Sequence, residues 1–268
     1  MSSLTITTIQ SAIFWEDKTA NLKMFEEKIA SVACKTELVV LPEMFSTGFT
    51  MNTALAETMD GETVQWMQNI AAQHKIIITG SIIIKDYLPD GNTAFYNRLI
   101  WMLPNGQFGF YDKRHLFAFA EENNFFTAGS KRLIASVKGW KINLQVCYDL
   151  RFPVWARQDM LPDEAPEYDI LINVANWPAA RCLAWKTLLQ ARAIENQCYV
   201  IGVNRVGPDG KQISYSGNSM VINPLGEILY HKEKDEDIFT ITLKKDSLLE
   251  TRKRFPFLVD KDTFKIFS

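Results

Sequence analysis

Residues 75–84, KIIITGSIII, carry an apolar or β-branched side chain at almost every position. A strand that alternates polar and apolar residues can leave one face in water. A continuous run cannot, so both faces of this strand must be covered. Layered architectures provide that cover, with helices or a second sheet on each side of the strand.

The elements around this run occur in an order that repeats. Residues 4–9 predict a first strand. Asp17 is placed to cap a helix in which Leu22, Phe25, Ile29 and Val32 recur at three- and four-residue steps. Residues 37–41 predict a short buried strand stopped by Pro42, and residues 62–74 a helix with Val64, Met67, Ile70 and Ala71 on one face. The run 75–84 completes β-α-β-α-β. A hairpin follows, with strands at 94–103 and 107–111 around Pro104-Asn105-Gly106. The second half repeats this pattern: a strand at 140–146, a short helix from Pro153, a strand at 169–174, a helix at 181–195, a strand at 198–203. Its hairpin turns at Asn223-Pro224-Leu225-Gly226.

Two similar halves without a linker predict one domain over residues 1–268, of class α/β. The expected architecture is a four-layer αββα sandwich of two mixed sheets with outer helices. An apolar content of 47% over 268 residues suffices for such a core. A strand at 238–243 and a last helix capped by Asp246 follow. Phe255, Phe257, Phe264 and Phe267 then predict that the tail, residues 255–268, docks on a partner subunit of a homodimer or higher homo-oligomer.

Charge and reactive residues exclude several classes. Lys plus Arg number 29 against 31 Asp plus Glu, so the basic excess of an electrostatic nucleic-acid binder is absent. No apolar run approaches the ~18 residues of a membrane span, and the amino-terminal residues do not form a signal peptide. Four cysteines (Cys34, Cys147, Cys182, Cys198) without a C-x-x-C pair predict reduced thiols and a cytoplasmic location. Three histidines (His74, His115, His231) offer no metal-ligand spacing, so no metal is expected.

Three predicted strand ends carry chemistry: Glu43 after Leu41-Pro42, Lys113 within Tyr111-Asp112-Lys113-Arg114-His115-Leu116-Phe117, and Cys147 at the head of Cys147-Tyr148-Asp149-Leu150-Arg151-Phe152-Pro153. Ligands of α/β sheets gather beyond the carboxyl ends of strands. A thiol with a pKa near ~8.5 needs a base, and a desolvated Glu43 can accept its proton. Lys113 and the backbone N–H of Tyr148 can stabilise an oxyanion. No histidine is required; His115 reads as a packing residue and the other three cysteines as structural.

These motifs, with Ala191-Arg192-Ala193-Ile194-Glu195-Asn196-Gln197 and Gly217-Asn218-Ser219, occur in the order of the carbon–nitrogen hydrolase (nitrilase) superfamily, which the chain resembles over about residues 4–243. The resemblance implies the αββα sandwich, a Glu-Lys-Cys triad, no cofactor, and hydrolysis of a non-peptide C–N bond. It implies a second glutamate after the lysine motif, Glu122 in preference to Glu121. Ala175-Asn176-Trp177-Pro178 looks closest to the omega-amidase branch, which implies a small amide substrate bearing a carboxylate, such as 2-oxoglutaramate or 2-oxosuccinamate. Arg151 would then anchor the carboxylate unless it pairs with Asp149, and Trp177 would wall the pocket unless it is core. Val154 stands where many relatives carry Glu. Alternatives are an N-carbamoyl amide hydrolase or nitrilase with the same triad, a cysteine protease using a Cys–His pair, and a catalytically silent binding scaffold.

Overall fold

The computed structural model describes residues 2–159, 165–262 and 264–266. Its first half runs β1 (Ser3–Gln10), α1 (Lys18–Ala30), β2 (Leu38–Val40), α2 (Glu62–His74), β3 (Ile77–Tyr87), β4 (Thr93–Met102) and β5 (Phe108–Asp112). After β6 (Ile134–Val137), the second half runs β7 (Trp140–Val146), α3 (Pro153–Ala156), β8 (Ile170–Ala175), α4 (Cys182–Asn196), β9 (Tyr199–Asn204), β10 (Val206–Pro208), β11 (Ser214–Ile222) and β12 (Ile228–Glu233). β13 (Asp237–Lys244) and α5 (Lys245–Arg254) end the regular structure.

The two halves form one sheet each, with the same pairing. β1, β2 and β3 are parallel neighbours, and the hairpin β4–β5 extends them antiparallel. In the second sheet β7, β8 and β9 are parallel, and β11 and β12 extend them antiparallel. Each half then contributes one strand to the other. β6, which follows the first half, pairs with β7, and β13, which follows the second, pairs with β1. This exchange ties the two sheets together covalently at their leading edges.

Burial follows the period-two rule of strands. Leu38 and Val40 of β2 join Leu4, Ile6 and Leu99 in one cluster with Leu144, Ile172 and Ile201 of the second sheet. Val39, between them, faces the other way, into a cluster with Phe25 and Ile29 of α1 and Met67 and Ile70 of α2. The first eight residues of β3 are buried on both faces, as the continuous apolar run requires. On the far side α4 lies so close to β9 that a Cβ on Gly202 would stand 2.5 Å from Leu189 and 2.9 Å from Trp185. The layers are helix, sheet, sheet, helix, in the predicted order.

The differences are local. Asp17 caps α1 as expected, accepting from the Ala20 N–H at 3.0 Å. Asp246 does not cap α5. That helix leaves β13 directly, so Asp246 sits in its first turn, where its charge favours the helix dipole. At the end of α5, Arg252 bonds Asp169 at 3.0 Å and the carbonyls of Tyr168 and Gln197. In the tail, Leu258 is buried while Phe257 and Phe264 are exposed. Phe267 and the Cys34 side chain lie outside the described residues. Among the described residues no helix is long and apolar enough to cross a membrane, and no cluster of His, Cys, Asp and Glu could hold a metal ion.

Candidate active site

Glu43, Lys113 and Cys147 leave β2, β5 and β7 at their carboxyl ends and meet. Two of the three turns depend on non-glycine residues with left-handed backbone, Met44 (φ 43°) directly after Glu43 and Cys147 itself (φ 46°). Each costs about 1–3 kcal/mol and persists only because its surroundings over-determine it. Cys147 passes straight from the strand into a single helical turn, Cys147–Arg151, which lifts its sulfur out of the sheet. The Met44 N–H is held by Ser81 Oγ at 2.9 Å.

Lys113 and Glu43 are wholly buried, and so is Glu122. Lys113 Nζ donates to Glu43 Oε1 at 2.9 Å and to both oxygens of Glu122 at 3.0 and 2.9 Å. The Phe117 N–H binds Glu122 Oε2 at 2.6 Å, so Glu122 clasps the lysine and its own loop together. Glu121, also left-handed (φ 61°), is exposed. Of the two, Glu122 is the one that reaches Lys113. The returning chain is secured by Gly129, whose N–H binds the Lys113 carbonyl at 3.0 Å. Any Cβ there would meet the Asp112 carbonyl oxygen at 2.0 Å, so only glycine allows the approach.

Electrostatics define the resting charges. Burial alone would lower the Lys113 pKa, but the carboxylates of Glu122 and Glu43 outweigh it and hold the ammonium well above its usual value. Burial pushes the Cys147 thiol well up, with the Glu43 charge adding to it and Lys113 opposing. Burial also raises Glu122, against the pull of Lys113. Both shifts favour the protonated thiol and the ammonium, so the Cys147 thiolate calls for a neighbour that takes the proton.

Sequence reasoning missed the residues that hold this constellation. Asn97 Nδ2 donates to Glu43 Oε1 at 2.8 Å and to Glu122 Oε1 at 3.2 Å. The Asn176 N–H donates to Glu43 Oε2 at 2.7 Å, its side chain binds the Glu43 carbonyl at 2.7 Å, and its own carbonyl faces Cys147 Sγ at 3.9 Å. One signal was available: Asn97 and Arg98 interrupt an otherwise apolar buried strand. Asp149 was read only as a possible partner of Arg151. It is instead the clasp between two loops, accepting from Tyr111 OH (2.7 Å), His115 N–H (2.9 Å), His115 Nδ1 (2.8 Å) and Val146 N–H (3.0 Å). His115 stacks on Phe152 at 3.7 Å. It packs between the lysine and nucleophile loops.

Above Cys147 opens a cleft of about 370 Å³. Tyr148, Arg151, Asn176 and Trp177 line it together with Phe117 and Phe49. The Arg151 guanidinium lies 4.9 Å over the Trp177 ring. Trp177 is both wall and core, almost fully buried and donating from Nε1 to the Arg181 carbonyl at 2.8 Å. Val154 is exposed and lies outside the cleft lining. Cys198 is buried, its thiol pushed up to about 12 chiefly by burial, and Cys182 is half-buried.

The Carbon-nitrogen hydrolase family profile matches residues 5–253. The chain is 41% identical over its whole length to "Omega-amidase YafV" of Escherichia coli, also covered in full. It is 31% identical to "2-oxoglutaramate amidase" of Bacillus subtilis, with 96% of each chain covered. A crystal structure of a CN-hydrolase superfamily protein from Xanthomonas campestris, with an arsenic adduct in its active site, superposes with a TM-score of 0.95 at 42% identity, both chains covered completely. The order of motifs, the paired sheets and these likenesses agree: the chain belongs to the carbon–nitrogen hydrolase family.

Proposed function

We propose that the protein is an amidase of omega-amidase type, hydrolysing the terminal amide of a small carboxylate-bearing amide such as 2-oxoglutaramate or 2-oxosuccinamate and releasing ammonia. The observation that carries the proposal is Cys147 lining a cleft with cationic side chains along its wall, with the paired Glu43 and Lys113 buried behind it. The names of the relatives in Escherichia coli and Bacillus subtilis support the same class.

In this reading Glu43 takes the Cys147 proton as the sulfur attacks the amide carbon. The oxyanion is met by the Lys113 ammonium and the Tyr148 N–H. Glu43 returns the proton to nitrogen, the C–N bond breaks, and ammonia leaves a thioester on Cys147. Glu43 then deprotonates a water, which attacks the thioester and frees the carboxylic acid and the thiol. Glu122 touches no reacting atom; it holds Lys113 charged and in place. Arg151 anchors the carboxylate and Trp177 sets the width of the cleft. The enzyme works as a homodimer or higher homo-oligomer, for which the exposed Phe257 and Phe264 of the tail argue.

The test is an ammonia-release screen over glutaramate, succinamate, their 2-oxo forms, glutamine, asparagine, N-carbamoyl amino acids and nitriles, with intact mass spectrometry of the enzyme. Turnover of the ω-amido acids and an acyl adduct on Cys147 are expected. Full activity in Cys147→Ala refutes the mechanism, and carbon dioxide released with ammonia, or nitriles turned over faster than amides, refutes the substrate class.

A further inference from the structure

The cleft above Cys147 is lined by more cationic than anionic side chains. Lys113, Glu43 and Glu122 are wholly buried behind Cys147 and do not line the cleft. The charged side chains lining it are Arg151, Arg181, Lys211 and Asp209. Among the described residues the ion-paired arginines are Arg98, Arg132, Arg192 and Arg252, each outside the cleft lining, and Lys211 has no acidic partner.

Asp209 does not occupy these cations. Its Oδ1 accepts from the N–H groups of Lys211 (2.8 Å) and Ile213 (2.9 Å), and its Oδ2 from Tyr215 OH (3.0 Å). The carboxylate is used to build the turn between β10 and β11 that carries Lys211 to the rim. Arg181, just before α4, is placed from the other end of Trp177, whose Nε1 holds its carbonyl. Its guanidinium lies 5.2 Å over the Phe117 ring and 6.0 Å from Phe119. Among the described residues no carboxylate is paired with this guanidinium, so its N–H fork, the group that reads a carboxylate, is open to a ligand.

We propose that Arg181 and Lys211 form a second anion-reading element at the rim, which binds the distal carboxylate of the substrate and turns its amide toward Cys147. The assignment rests on the amidase reading above. It adds to Arg151 two cations supplied by segments outside every motif of the nucleophile and lysine loops. A substrate with a carboxylate at one end and a neutral amide at the other is oriented by these cations, carboxylate toward the rim and amide toward the sulfur. A neutral amide of the same length is not.

The experiment compares kcat/KM for glutaramate and for valeramide, which replaces the carboxylate by a methyl group, in wild type, Arg181→Ala, Arg181→Lys, Lys211→Ala and the double alanine variant. Thermal melts check folding. The glutaramate-to-valeramide ratio is expected to fall about 10- to 100-fold in Arg181→Ala, the loss of a hydrogen bond to a charged group. Arg181→Lys should recover part of it, because an ammonium cannot form the fork. Lys211→Ala should cost about 2- to 5-fold, since the side chain is exposed. Added salt should lower the wild-type ratio more than that of the double variant. A double variant with the wild-type ratio overturns the proposal. Wild-type enzyme that hydrolyses neither amide overturns instead the amidase reading beneath it.

Discussion

Replacing Asp149 by Asn tests whether one buried carboxylate holds the lysine loop and the nucleophile turn in register. Asp149 is fully buried, with one oxygen bound by the two His115 groups and the other by Tyr111 OH and the Val146 N–H. The tyrosine cannot reverse its role. Its oxygen already accepts from Trp155 Nε1 (2.9 Å) and the Arg114 N–H (3.1 Å), and burial with the Asp149 charge keeps the phenol protonated. The cheaper orientation of the new amide therefore turns its NH2 to His115, whose ring can change tautomer and accept. The backbone N–H of His115 then faces a donor. One charge-assisted bond is lost, about 1.5–3 kcal/mol, and the two on the surviving oxygen fall to neutral strength, about 1 kcal/mol each. The sum is about 3–5 kcal/mol, or a fall in Tm of about 6–10 °C for a chain of this length. Lys113 and Cys147 both lean on the clasp, so kcat should drop at least about tenfold with KM little changed. Calorimetry and single-turnover acylation measure the two effects. A variant within about 1 kcal/mol of wild type and fully active would refute the clasp argument.

Two further outcomes concern the scaffold. Gly202→Ala puts a methyl group 2.9 Å from the Trp185 ring, which cannot retreat because its Nε1 is bonded to the Asn218 carbonyl at 2.7 Å. A loss of about 1–3 kcal/mol is expected by thermal melting, and an unchanged Tm would mean that α4 yields. Cys198 keeps its proton up to about 12 in the folded chain, mainly through burial, whereas an exposed thiol loses it near ~8.5. Between those values the unfolded chain releases a proton that the folded one holds, so stability is full below the lower value and falls as pH rises. Cys198→Ala should flatten the decline of Tm between about pH 9 and 11, and parallel curves would contradict the sign.

The residues that were legible in advance share a property. Glu43, Lys113 and Cys147 each sit in a contiguous motif at a predicted strand end, so a local pattern is enough to mark them. Asp17 and both hairpin turns were readable for the same reason. Asn97 was not, because its partner Glu43 lies 54 residues away and the polar break it makes in β4 does not say which residue it meets. β6 and β10, four and three residues long, are too short to carry a periodic signal and exist as strands only because β7 and β11 pair with them. Arg181 and Lys211 belong to no motif, and it is the Asp209 turn and the bond from Trp177 Nε1 to the Arg181 carbonyl that place them in one cleft.

Residues 75–84 and the repeated order of elements determined a layered α/β fold with two similar sheets, because covering a strand on both faces is a local demand with few architectural solutions. The tertiary structure alone decided that β6 and β13 are exchanged between the halves, that Glu122 reaches Lys113 while its neighbour Glu121 turns outward, and that Asp149 joins two loops. Each of these depends on where distant backbone segments come to lie. Burial then sets their strength, since a lysine between two glutamates is an ordinary surface cluster in water and becomes a fixed charge only when the sheets close over it.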